Sequence, residues 1–211
     1  MHSADESPQA EGSPVREAIR SRRFVVLYAA CLICSFGVFV PFVHIVPYAT
    51  DHGVPRSSAV LLLGIIGIGS TAGRFFLGGL MDRMGRSHAL LAMFVGMSLA
   101  LAFWVLSAGL WSLAGFAFAY GVFYGGWVAV LPAVVMDYFG GRNVGGIIGV
   151  LYTSVAFGTL IGPSAAGFAF DISHSYTLPI LASVCANVIA AGIVATSSIA
   201  SMPTSKAGEP T

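Results

Sequence analysis

The chain has 211 residues, of which 56% are hydrophobic and only 9% charged, with a mean hydropathy of +0.85 and a formal net charge of +1. Soluble domains carry about 25% charged residues, and one of this length has too little interior to hide so much apolar surface, because surface grows almost as fast as mass. The composition excludes a soluble globular domain, fits an all-α polytopic membrane protein, and leaves no charge excess to attract nucleic acid; what matters is where the charges sit.

Residues 1–23 are polar, then turn basic at Arg16, Arg20, Arg22 and Arg23. They read as a flexible tail with a short amphipathic segment leading to the membrane. They lack the pattern of a cleavable signal peptide, and the apolar run that follows is long enough to span. Six transmembrane helices are expected, at about residues 24–48, 59–81, 88–107, 111–135, 144–170 and 178–199, with a polar tail over 200–211. The first carries Pro41, His44 and Pro47 in its outer half. The fifth is interrupted at Gly162-Pro163. Cys31 and Cys34 form a CxxC inside the first span, but with no second pair they read as small apolar helix residues.

An even number of spans puts both termini on one side. That side collects Arg16, Arg20, Arg22, Arg23, Arg83, Arg86, Arg142 and Lys206, against Arg56 alone on the other. The positive-inside bias therefore predicts a cell-membrane protein with both termini in the cytoplasm. Glycine pairs at GxxxG spacing (Gly69 and Gly73, Gly121 and Gly125, Gly145 and Gly149, Gly158 and Gly162) predict close helix packing.

The tenth basic residue is Arg74, inside the second span. It lies eight residues before Asp82; if Asp82 marks the headgroups, Arg74 sits about 12 Å below them. An arginine at that depth costs about 2.5–3.5 kcal/mol unless it faces a polar cavity, which makes it a functional-site candidate, with snorkelling to the cytoplasmic face as the structural alternative. One turn back, Ser70 and Gly67 keep the same face small and partly polar. His44 has a ring suited to proton exchange or substrate contact, or to a local interfacial hydrogen bond. Tyr120, Tyr124, Trp127, Tyr152 and Phe157 line a cavity or pack as belt aromatics. No His, Glu and Cys constellation in the spans suits catalysis or a metal, so neither an enzyme nor a cofactor is expected.

The turn Asp82-Arg83-Met84-Gly85-Arg86, closing GRFFLGGLMDRMGR, resembles the cytoplasmic loop motif of the major facilitator superfamily. REAIRSRRF before the first span and FVHIVPYATDHG at its end are similar to the monocarboxylate transporter and oxalate/formate antiporter branch. The resemblance covers about residues 15–195 and implies one six-helix half of that fold, the C-terminal one, with the tail resembling the loop that joins the halves. It implies that Arg74 binds the carboxylate of a small organic anion. The residues themselves offer Ser70, His44, Tyr124 and Tyr152 as further candidate contacts, and Asp82, Arg83, Gly85 and Arg86 as a gating loop whose ion pairs can form in one conformation and break in another. Alternating access, with protons as the coupling ion, would need a second half or a homodimer partner. The sequence departs from the branch at Ser70, where proton-coupled members carry an aspartate. It departs again in the fifth span, which has no lysine; that favours a monoanion over a dianion. The alternative reading is a non-transporting membrane subunit or a truncated transporter remnant.

Overall fold

The computed structural model describes residues 12–196, except for the side chains of Leu80, Met81 and Asp82. The expectations for residues 1–11, for the C-terminal tail and for the Asp82 carboxylate lie outside these described residues. Among the described residues there are eight helices and no strand: α1 (Val15–Arg20), α2 (Arg22–Val38), α3 (Val40–Asp51), α4 (Arg56–Met84), α5 (Arg86–Val105), α6 (Leu110–Phe139), α7 (Val144–Ser173) and α8 (Thr177–Thr196). They make six segments long and apolar enough to cross a membrane, with α2 and α3 forming one of them. In hydrocarbon the backbone must satisfy its own polar groups, and helices do so within each segment.

The first span is divided at Phe39. Pro41 has no N–H to give to Gly37 and its ring crowds that carbonyl, so the helix opens one turn earlier. The Phe39 N–H turns back to the Gly37 carbonyl, and the Tyr120 hydroxyl of α6 donates to the Val38 carbonyl at 2.5 Å. The expected interruption in the fifth span does not occur: α7 is continuous through Pro163. Gly162, beside that proline, lies directly on the α2 backbone, where an added Cβ would come within 2.9 Å of Phe36 Cα, so packing holds the helix through the missing hydrogen bond.

The glycine pairs explain the tightest seams. Gly69 and Gly73 of α4 interlock with Gly121 and Gly125 of α6, so that a Cβ on Gly125 would stand 2.7 Å from the Ser70 carbonyl carbon and one on Gly73 would stand 2.9 Å from that of Val122. Gly158 and Gly162 of α7 seat on Ser35 and Phe36 of α2 in the same way, whereas Gly145 and Gly149 meet nothing. Helices α2, α5 and α8 pack together behind these seams. The core they share is built on Phe94, Leu101, Trp104, Phe116 and Tyr120, with Trp104 stacked on Phe116 at 4.9 Å. A polar clasp ties α2 to α8: the Cys34 thiol donates to Asn187 Oδ1 at 3.3 Å, and Asn187 Nδ2 donates to the Ser183 carbonyl at 3.0 Å. Both CxxC thiols are fully buried and free.

Helices α4 and α7 are left bare on one side. Only 28% and 22% of their apolar windows are buried, against 56% for α5, and the bare faces show Ile68, Phe75 and Phe76 on α4 and Tyr152, Phe157 and Leu160 on α7. At the loop end of α4, a single residue joins it to α5: Gly85 caps both helices at φ +80°. A side chain is strained in that region. Gly85→Val should therefore destabilise the chain by about 1–3 kcal/mol, read as a lower midpoint in denaturant titration of the protein in detergent.

Candidate functional site

Arg74 lies on α4 next to the interlocked Gly73, and its side chain is exposed on the bare face. Gly73 brings the α4 backbone against Val122 of α6, two residues before an aromatic ring. That ring is Tyr124, and the Arg74 charge acts on its hydroxyl. The same charge reaches the hydroxyl of Tyr152 from α7, and Tyr152 in turn reaches the hydroxyl of Tyr124. Three of the sequence-predicted residues, from three helices, thus lie within electrostatic range.

The tyrosines are held by different means. Tyr124 sits in a group of ring edges, 5.2 Å from Phe42 and 6.0 Å from Phe39, with Tyr120 parallel at 6.5 Å and Trp127 at 6.1 Å. Phe39 and Phe42 flank the break between α2 and α3, so Pro41 shapes this wall. Tyr152 is half-exposed, and the neighbouring Thr153 shares a hydrogen bond of 3.0 Å with Tyr28 of α2. The result is one cation and two phenol hydroxyls over an aromatic floor, a donor set matched to a carboxylate. The guanidinium fork gives two parallel hydrogen bonds, and each hydroxyl can add one. Phe39, Phe42, Tyr28 and Thr153 were not singled out from sequence; Pro41, whose missing N–H opens the helix there, was the available signal.

Ser70 and His44 stand apart from this group. Ser70 is buried in the α4–α6 crossing, its backbone against Gly125. His44 is on α3, where its Nε2–H donates to the Pro163 carbonyl of α7 at 3.2 Å and its ring meets the edge of Tyr176 at 6.4 Å. Around it, the end of the bundle opposite the DRMGR loop is closed by aromatic contacts: Tyr176 stacks on Phe170 at 4.2 Å, and its hydroxyl donates to Asp51 Oδ2 at 2.9 Å. Burial and that bond push the Tyr176 phenol up to about 12.

At the DRMGR loop, Arg86 pairs with Asp137 at the end of α6 and also donates to the Ala133 carbonyl at 3.0 Å. Ser87 and Tyr138 add a hydroxyl pair at 2.6 Å between the same two helices. Arg83 is exposed. Asp137 is joined to Arg86, 51 residues away in sequence.

Comparison with known proteins agrees with this architecture. The sequence profile of the Major Facilitator Superfamily matches residues 25–210. The chain is 33% identical to Monocarboxylate transporter 12-B of Danio rerio over 159 residues, 73% of this chain and 33% of that protein. It is 31% identical to Monocarboxylate transporter 12 of Homo sapiens, over 75% of this chain and 31% of that one. It is 27% identical to the aspyridones efflux protein of Emericella nidulans over 72% of the chain. The chain spans about a third of the length of these relatives. With six membrane-spanning helices and a family match over most of its length, the chain belongs to the Major Facilitator Superfamily.

Proposed function

We propose that this chain is one six-helix half of a transporter for a small organic anion of the monocarboxylate type, working in the cell membrane by alternating access with both termini in the cytoplasm. The observation that carries the reading is that Arg74, exposed on the bare side of α4, lies within electrostatic range of the hydroxyls of Tyr124 on α6 and Tyr152 on α7. A buried carboxylate needs a cation and directed donors to replace its water, and this face supplies both. The open faces, with Gly145 and Gly149 unopposed, suit a second six-helix half or a second copy of the chain, which would close a cavity over the arginine. Two relatives are named monocarboxylate transporters, and Arg74 supplies the positive partner such an anion requires. Ser70 would act through the α4–α6 crossing that sets the height of Arg74, and His44 through the closed far end. Protons are the coupling ion we propose.

The Arg86–Asp137 pair would hold α5 to α6 in one conformation and release in the other, with Asp82 and Arg83 completing the loop. The pair is half-exposed, so its contribution to folding is about 0–1 kcal/mol. Its effect on a balanced two-state equilibrium is about fivefold for each kcal/mol. Asp137→Asn should leave the unfolding midpoint nearly unchanged while shifting the rate of anion exchange several-fold, measured as counterflow in vesicles.

The test of the function is uptake of labelled lactate, pyruvate and formate into liposomes holding the purified chain, with and without a pH gradient. Saturable uptake that Arg74→Ala abolishes supports the reading and makes the chain sufficient as a dimer. Uptake unaffected by Arg74→Ala would overturn the site. If the chain alone is silent, it is co-reconstituted with an N-terminal six-helix half of a related transporter; continued silence from well-folded protein would leave the non-transporting subunit as the function.

A further inference from the structure

The segment before the first span is docked onto the bundle. The Ser13 N–H donates to the Phe139 carbonyl at 2.9 Å, the Ser13 carbonyl accepts from Asn143 Nδ2 at 3.1 Å, and Gly12 bridges Gly140. Val15 lies on Gly146 at the start of α7, and Ala18 is buried. Ser21 turns α1 into α2: its hydroxyl accepts from the Phe24 N–H at 3.2 Å and donates to the Ala18 carbonyl at 2.7 Å. This strap encloses a cavity of about 360 Å³ lined by Ser13, Glu17, Ser21, Arg22, Arg23 and Tyr138. The Arg23 guanidinium stands 5.7 Å over the Tyr138 ring. Arg16 and Arg20 follow one turn apart on the exposed side of α1, and Arg142 backs Gly12. Two arginines, Arg22 and Arg23, and one carboxylate, Glu17, therefore line the cavity, with Arg16 and Arg20 exposed on the adjoining helix.

We propose that this cavity binds the phosphate-bearing headgroup of an anionic lipid, in the leaflet that faces the N-terminal segment. Charge complementarity selects the ligand class: guanidinium groups suit phosphate because the fork reaches two oxygens at once. A polybasic segment at the start of a membrane span gains about 1 kcal/mol per arginine from an anionic surface. Position selects the lipid over a soluble phosphate. The cavity sits where α2 begins at Arg22, and Val25, exposed on the first turn of α2, offers an apolar path for the acyl chains. Assigning that leaflet to the cytoplasmic side rests on the positive-inside reading above; the site itself does not depend on transport. Its wall, Tyr138, also bonds Ser87 and neighbours the Arg86–Asp137 pair, so an occupied site would bear on the α5–α6 contact.

The experiment titrates the purified full chain in detergent with dioctanoyl phosphatidylinositol 4-phosphate, followed by thermophoresis. Dioctanoyl phosphatidylcholine and free inositol 1,4-bisphosphate are the comparison probes. The expected result is binding of the phosphoinositide that weakens about fivefold in Arg22→Gln and ~25-fold in Arg22→Gln/Arg23→Gln, and that strengthens in Glu17→Gln. Equal binding of phosphatidylcholine, or unchanged binding in the double variant, would overturn the proposal. Inositol bisphosphate binding as tightly as the lipid would overturn the lipid as the source and assign the cavity to a soluble phosphate. Should the double variant fail to fold, Arg22→Gln and Glu17→Gln, both at exposed side chains, decide the matter alone.

Discussion

Gly125→Leu should abolish folding of the chain, and Gly125→Ala should already lower its stability by about 1–3 kcal/mol or more. The reason is the crossing of α4 and α6, where Gly125 has the Ser70 carbonyl, a rigid backbone group, in the space a Cβ would fill. Gly69, Gly73 and Gly121 are constrained in the same way by Phe118, Val122 and Ile66, so the helices cannot rotate the burden onto a neighbour and must separate. In hydrocarbon no hydrophobic effect draws them back, and the packing lost is most of what held them. Gly149→Ala provides the control. Its Cβ would meet nothing, and alanine is about 1 kcal/mol better than glycine in a helix, so the isolated chain should be unharmed or slightly more stable. Unfolding midpoints in detergent for the two alanine variants read both effects. A Gly125→Ala chain as stable as the parent would mean the crossing is not as close as described. If a second half seats on α7, Gly149→Ala should reduce transport without reducing the midpoint.

The contrast between those glycines marks what can be read from residues alone. GxxxG spacing identified Gly69 with Gly73 and Gly121 with Gly125, but spacing is local, and nothing local distinguishes them from Gly145 and Gly149, whose partner surface is empty. The six apolar runs were legible because the bilayer imposes length and hydropathy on each span separately. The division at Phe39 and the continuity through Pro163 depended on neighbours: Tyr120 meets a carbonyl freed near one proline, and α2 braces the helix around the other. Arg74 stood out because charge in hydrocarbon is costly wherever it occurs. Tyr124 and Tyr152 were named as candidate contacts from their residue type alone; what brings them near Arg74 is the α4–α6 crossing and the position of α7, both long-range. Arg86 was visible in the loop motif, and its pairing with Asp137 across 51 residues was not.

Arg74→Lys should cost transport nearly as much as Arg74→Ala, although it keeps the charge. A lysine offers a point charge on a flexible stem, while the proposed carboxylate recognition would use two parallel N–H groups fixed in one plane. A hydrogen bond to a charged group contributes about 1.5–3 kcal/mol, so losing one arm of the fork should weaken anion binding about 10- to 150-fold. Alanine, which loses both arms and the charge, should remove saturable uptake altogether. Stability should move the other way. An arginine on an apolar membrane helix costs about 2.5–3.5 kcal/mol unless water or a partner covers it, and Arg74 is exposed on a face that otherwise shows Phe75 and Phe76. Arg74→Ala should therefore insert as well as the parent and unfold at an equal or higher denaturant midpoint, the pattern expected where a residue is kept for function against stability. Tyr124→Phe refines the test, since it keeps the ring contacts with Phe42 and Trp127 and removes only the hydroxyl; about a tenfold loss of affinity with an unchanged midpoint is expected. If Arg74→Ala instead lowers the midpoint and leaves uptake intact, the arginine is a structural ion partner for another chain, and the anion site must be sought elsewhere.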